Sequence, residues 1–206
     1  MTDARRERFA FAALAAVAVL CWALVRTYPN YDSYYHLVWG RELLGGTLPA
    51  DDAYAAPTPH PLWVAVAARA ALLGEAGDRA LVLVCVLALV ALVWAVYRLG
   101  AAVWDRPAGV VSALLAGSAF LLYTAKAYID VPYLALVFWA AALEAERPGR
   151  GRPVQLLLLL AGLLRPEAWL LCGAYALWLW HRGARGRDAA GVLALAAAPA
   201  LLWMLS

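Results

Sequence analysis

Residues 80–97 read ALVLVCVLALVALVWAVY, with no charge, no proline and no glycine. At about 1.5 Å per residue such a run rises roughly 27 Å as a helix, close to the roughly 30 Å hydrocarbon core of a bilayer. Arg98 closes the run and Arg106 follows, so this end reads as cytoplasmic under the positive-inside rule. The rest of the chain shares the composition. Of 206 residues, 66% are hydrophobic and 15% charged, where a soluble domain carries roughly a quarter charged residues. The sequence predicts an all-α, polytopic membrane protein.

Toward the N-terminus, Phe9 to Val25 is a second uncharged run, preceded by Arg5-Arg6-Glu7-Arg8. A secretory signal peptide has a shorter apolar region and a small-x-small cleavage site, whereas Arg26-Thr27-Tyr28-Pro29 follows here. A retained helix with a cytoplasmic N-terminus is expected, and an outer loop over residues 27–79. Toward the C-terminus, Pro107 opens a run to Tyr123 that crosses outward, Thr124 to Asp130 forms an outer link, and Pro132 starts a helix to about Leu143. Arg147, Arg150 and Arg152 mark the cytoplasmic end of that helix. Arg165-Pro166-Glu167 interrupts the segment from Val154 to Trp180, which reads either as one kinked helix or as a hairpin. Arginines on both flanks, with Arg182, Arg185 and Arg187 on the far side, favour the hairpin with its tip outward. A last helix from about Ala189 to Leu205 ends outside. The expectation is seven crossings in one transmembrane domain over residues 1–206.

Lys and Arg exceed Asp and Glu only by 17 to 14, in short clusters between apolar runs, which argues against a nucleic-acid partner. Cys21, Cys85 and Cys172 each lie inside an apolar run without metal-ligand spacing. They read as small buried hydrophobes.

The one long polar and aromatic segment runs from Tyr31 to Leu62. Asp32 or Ser33 is placed to cap a helix that Gly45-Gly46 ends near Leu44. Its aromatic and aliphatic residues, Tyr34, Leu37 and Val38 beside Tyr35, Trp39 and Leu43, suit a helix lying on the membrane surface. After Asp51-Asp52 the prolines force an extended entry to an apolar segment, Leu62 to Leu73, which is short and interrupted by Arg69 and so reads as a second interfacial or partly inserted helix rather than a span. This topology gathers Asp32, Asp51, Asp52, His60, Lys126, Asp130, Arg165 and Glu167 at the outer face. Each has a plain structural use: Asp32 as a cap, Asp51 and Asp52 in a solvated turn, Arg165 and Glu167 as a pair easing a kink. Ionisable groups at membrane depth are costly, so function is the default reading for Arg165 and Glu167.

The order of these features resembles the GT-C superfamily of membrane glycosyltransferases, which includes the protein O-mannosyltransferases and the aminoarabinose transferases of lipid A. The resemblance rests on Tyr31-Asp32, the helix ending in Gly45-Gly46, Pro57-Thr58-Pro59-His60-Pro61-Leu62, Asp130-Val131-Pro132, and Ala161 to Ala168 around Arg165-Pro166-Glu167. It implies a seven-helix module in a bacterial plasma membrane, a sugar donor carried on polyprenyl phosphate, and an active face outside. It implies further that Asp32 is the general base for the acceptor hydroxyl, that Asp130 matches the acidic residue after the third helix, and that Arg165 stands near the donor. The family's Lys-Pro-Pro or His-Pro-Pro element falls on His60-Pro61, with Leu62 in place of the second proline. Members of the superfamily usually continue past the seventh helix, whereas this chain stops at Ser206.

The residue types suit that chemistry on their own. A lipid phosphate is already a good leaving group, so one base suffices, and cations are needed where charge grows on the phosphate. Lys126, Arg165 and His60 are the candidates. No Gly-rich nucleotide-binding signature is present. No cofactor is assigned; Asp51-Asp52 with Asp32 is the only grouping that suggests a divalent metal, and metal stays uncommitted. The expected partners are a lipid-linked sugar and membrane lipid, with a partner membrane protein if the chain is one module of an assembly. Two other classes compete: a non-catalytic membrane module that docks a partner protein, and a small transporter or flippase. The Ala, Leu and Val of the mid-helix positions disfavour the last.

Overall fold

The structure is a computed structural model that describes residues 3–48, 56–183 and 186–204. Asp51 and Asp52 lie outside the described residues. Among the described residues the fold is all-helical: α1 (Asp3–Leu24), α2 (Tyr31–Leu44), α3 (Pro61–Ala71), α4 (Gly77–Val103), α5 (Arg106–Ala125), α6 (Asp130–Glu146), α7 (Arg152–Gly162), α8 (Glu167–His181) and α9 (Gly186–Met204). The ends follow local chemistry. Pro61 opens α3, Asp105 caps α5 by accepting from the Ala108 N–H at 2.8 Å, and Gly45 closes α2.

The long helix α4 is the spine. Helix α1 runs antiparallel to it, with the Trp22 indole N–H donating to the Arg79 carbonyl at 3.0 Å and the Tyr97 hydroxyl to Glu7 at 3.0 Å. Helix α5 turns back along α4 so closely that a Cβ on Gly100 would lie 2.8 Å from Gly109 Cα. Helix α6 runs parallel to α4, joined near its end by Arg98 and Glu146 at 2.5 Å. The segment around Arg165 is a hairpin: α7 and α8 are antiparallel, with the Gly151 N–H donating to the Tyr175 hydroxyl at 3.0 Å. Helix α9 lies beside α7, where a Cβ on Gly162 would meet Pro199 at 2.8 Å.

These contacts sort the charges to two ends. Glu7, Arg98, Arg106 and Glu146 share one end, here called the arginine end. The α2–α3 pair, the α5–α6 turn, the α7–α8 turn and the last turn of α9 share the other, the loop end. The largest buried cluster, including Leu37, Trp63, Leu81, Ile129 and Leu164, joins these elements at the loop end.

Among the described residues, three helices are long and apolar enough to cross a membrane: Arg5–Leu24, Gly74–Val103 and Arg106–Ala125. Helix α7 has 11 residues, a rise of roughly 16 Å and about half a hydrocarbon core. Length and composition therefore mark three crossings among the described residues, and the other helices fall short of that mark. Helix α2, expected on the membrane surface, keeps Tyr34, Val38 and Leu43 exposed and packs its other face on the fold. It buries Ser33, His36, Leu37, Trp39 and Gly40, and a Cβ on Gly40 would stand 2.6 Å from the Ala68 backbone of α3.

Candidate functional site at the loop end

The first turn of α2 sets the site. Its cap is Asn30, whose side-chain oxygen accepts from the Ser33 N–H at 2.8 Å. Neither Asp32 nor Ser33 has that role, because Asn30 sits in the extended geometry a cap requires and the other two are already helical. Ser33 instead donates its hydroxyl to the Ala127 carbonyl at 2.6 Å and accepts from the Trp63 indole at 3.1 Å. The Asn30 N–H donates to the Lys126 carbonyl at 2.7 Å. The α5–α6 turn is shaped for this contact, with Ala127 in the left-handed region at φ 53. Asp32, half-buried, keeps a carboxylate that no hydrogen bond or ion pair engages among the described residues.

One turn on, His36 is fully buried. Its Nδ1 donates to the Asp32 carbonyl at 2.6 Å and its Nε2 accepts from the His60 N–H at 3.3 Å. A carbonyl only accepts and an amide N–H only donates, so the ring is fixed as the neutral Nδ1–H tautomer. It stacks on His60 at 5.4 Å, pinning the start of α3 to α2. Burial lowers the His36 imidazole below its ordinary value against the pull of Asp32. Burial, with His36 and Arg165 nearby, brings His60 down to about 4. His60 is therefore neutral at pH 7. Its ring here is an uncharged hydrogen-bonding group.

Arg165, in the α7–α8 turn, binds Asp130 at the start of α6 at 2.5 Å and reaches Glu167 at 3.8 Å. The Leu62 N–H donates to the Leu163 carbonyl at 3.2 Å, which seats this turn against α3. Lys126 turns away from that pair and lies over the Tyr28 ring, 3.4 Å from its centroid. The ammonium lowers the Tyr28 hydroxyl from its ordinary value. Four buried polar atoms have no hydrogen-bond partner among the described residues: Asn30 Nδ2, His60 Nδ1 and Arg165 Nε at this end, and Gln155 Oε1 in α7.

The structure thus joins His60, Asp130, Arg165 and Glu167 in one electrostatic cluster, with Asp32 reaching it through His36. Lys126 shares the turn but not the cluster. Asn30, Ser33, His36 and Trp203, whose ring stands 5.6 Å from His60, were not assigned from sequence. The i, i+4 spacing of Asp32 and His36 was the available signal for one of them. No group of three or more His, Cys, Asp or Glu side chains suited to a metal occurs among the described residues. No protein-family profile, curated protein or solved structure matches the chain.

Proposed function

We propose that the chain is a membrane glycosyltransferase that moves a sugar from a polyprenyl-phosphate carrier to an acceptor hydroxyl at the outer face, with inversion. The shorter helices α6 to α9 then complete a seven-helix bundle around the loop end. The observation that carries this reading is the Asn30 cap, which frees Asp32 from the structural role most common for an Asp at a helix start. A half-buried carboxylate that no hydrogen bond or ion pair engages among the described residues, one turn before the buried His36 that stacks on His60, suits a general base.

In this mechanism the acceptor oxygen attacks the anomeric carbon and gives its proton to Asp32. The bond from that carbon to the phosphate oxygen breaks, and its electron pair leaves on the polyprenyl phosphate. Arg165 faces the charge that grows there. The unpartnered Arg165 Nε and His60 Nδ1 are hydrogen-bonding capacity that the fold leaves unused, and both serve the phosphate. Offering labelled polyprenyl-phosphate sugars to the purified chain tests the proposal. Transfer by the wild type and its loss in Asp32→Asn are expected; transfer at the wild-type rate in Asp32→Asn rules out this base.

One observation favours a second reading, a non-catalytic module that docks a partner membrane protein. Arg165 is already held by Asp130, and Lys126 by Tyr28. That reading predicts no lipid-phosphate binding by the purified chain and stable co-purification with a partner.

A further inference from the structure

Helices α1, α4 and α5 are the three that are long and apolar enough to cross a membrane among the described residues. Together they wall a groove of about 1140 Å³, with Leu14 on α1, Val93 on α4 and Leu121 on α5 in its lining. Polar contacts join α1 to α4 at both ends, from Tyr97 to Glu7 at the arginine end and from Trp22 to the Arg79 carbonyl at the loop end. Glu7 is the charged residue of the lining, so the arginine end of the groove does not suit an anion. At the loop end the lining runs through Thr27 and Ala125. Their chain neighbours Tyr28 and Lys126 meet there, the ammonium over the ring. We infer that this groove binds an anionic phospholipid, with its phosphate on Lys126 and its acyl chains along α1, α4 and α5.

Lys126 is half-buried, and no carboxylate pairs with it among the described residues. A ring face compensates part of the charge of such an ammonium, whereas a phosphate adds charge-assisted hydrogen bonds. Arg79, at the same rim, donates to the Val25 and Trp22 carbonyls and lies over the Trp22 ring. Those partners orient its guanidinium without cancelling its charge. The acids nearby are Asp78, which accepts from the Tyr34 hydroxyl at 3.4 Å, and the exposed Glu75. Arg26, exposed after α1, is a third cation. Lys126, Arg79 and Arg26 against Asp78 and Glu75 leave the loop-end rim net positive. Acyl chains gain little over bulk lipid in such a groove, since lipid tails are as apolar as its walls. Selection therefore lies with the headgroup, and basic pockets between membrane helices select for negative charge.

This groove is not the proposed transferase site. Asp32 and Tyr34 are two positions apart on α2, roughly 200° around a helix. Tyr34 reaches Asp78 beside the groove, while the first turn at Asp32 carries His36 toward His60. The bound lipid is therefore not the reacting carrier, and the inference stands without the transferase reading.

The test mixes the purified, delipidated full chain with phosphatidylglycerol, phosphatidylethanolamine or phosphatidylcholine of identical acyl chains and counts retained lipid by native mass spectrometry. Phosphatidylglycerol should be retained about fivefold or more over phosphatidylcholine, as expected for one net positive charge near a membrane surface. Lys126→Gln should reduce it to the phosphatidylcholine level, and Lys126→Arg should keep the preference. The Lys126 ammonium rests on the exposed Tyr28 ring, so unfolding curves of the two variants separate lost binding from lost folding. Ser118→Phe, which puts a ring into the groove from an exposed position on α5, should reduce retention of all three lipids. Equal retention of phosphatidylglycerol and phosphatidylcholine by the wild type overturns the inference. So does a preference for phosphatidylethanolamine, which would make Asp78 the reader. A preference for phosphatidylglycerol that survives Lys126→Gln, or full retention in Ser118→Phe, overturns it as well.

Discussion

The two ends of the molecule each hold an arginine–carboxylate pair of the same length and nearly the same exposure. Arg98–Glu146 is 2.5 Å with side chains 28% and 26% exposed, and Arg165–Asp130 is 2.5 Å with 31% and 29%. Their surroundings differ. Arg98 spends both Nε and an Nη nitrogen on Glu146, lies over the Trp139 ring, and has Arg150 as a second cation for that carboxylate at 3.9 Å. Arg165 gives one nitrogen to Asp130, has Glu167 as a second carboxylate at 3.8 Å, keeps a buried Nε without a partner among the described residues, and stands by His60. The first pair is saturated and closes the bundle. The second keeps one buried donor without a partner among the described residues, which the proposed phosphate contact would use.

The largest separation should come from Arg→Lys changes. Lysine keeps the charge and loses the planar fork. Arg165→Lys should lower transfer from a lipid-linked sugar by about tenfold or more, while Arg98→Lys leaves it unchanged. Equal losses at the two ends would erase the distinction. Next in size is stability. Arg165→Gln leaves Asp130 without a cation and should cost about 1–3 kcal/mol in detergent unfolding. Arg98→Gln, with Arg150 still near Glu146, should cost about 1 kcal/mol or less. Asp130→Asn added to Arg165→Gln should recover part of the loss.

A smaller effect separates the ends by pH. His60 sits at about 4 in the folded chain and near 6.5 when unfolded, and His36 is shifted in the same direction. A depressed folded value means the unfolded chain binds protons first as pH falls. The contribution of the pair is complete above about pH 6.5 and is lost as pH drops toward about 4. Melting curves from pH 7 to pH 5 should show this decline, and His60→Gln should flatten it. A decline of the same slope in His60→Gln would place the titrating group elsewhere.

The sequence carried much of the scaffold. Gly45 and Pro61 mark real helix ends, and arginines flanking Val154 to Trp180 marked the hairpin, because capping and charge placement are local rules. The gathering of His60, Asp130, Arg165 and Glu167 at one end was legible for the same reason. The cap itself was misplaced by two or three residues, since Asn, Asp and Ser all suit the position and only backbone geometry selects Asn30. The His36–His60 stack was not legible. It joins residues on separate helices and depends on Gly40 admitting the α3 backbone. Helix lengths were less legible than helix order, because apolar composition does not report where a helix stops, and α7 ends after 11 residues.

Asn30 and Asp32, two residues apart, divide the cap from the proposed base, so Asn30→Ala and Asp32→Asn measured together for unfolding and for sugar transfer bear most closely on the function. Asn30→Ala should cost about 1 kcal/mol of stability and retain transfer. Asp32→Asn should keep the wild-type unfolding curve and lose about a hundredfold or more in transfer. A destabilised Asp32→Asn that still transfers sugar at the wild-type rate would return Asp32 to a structural role and remove the base from the mechanism.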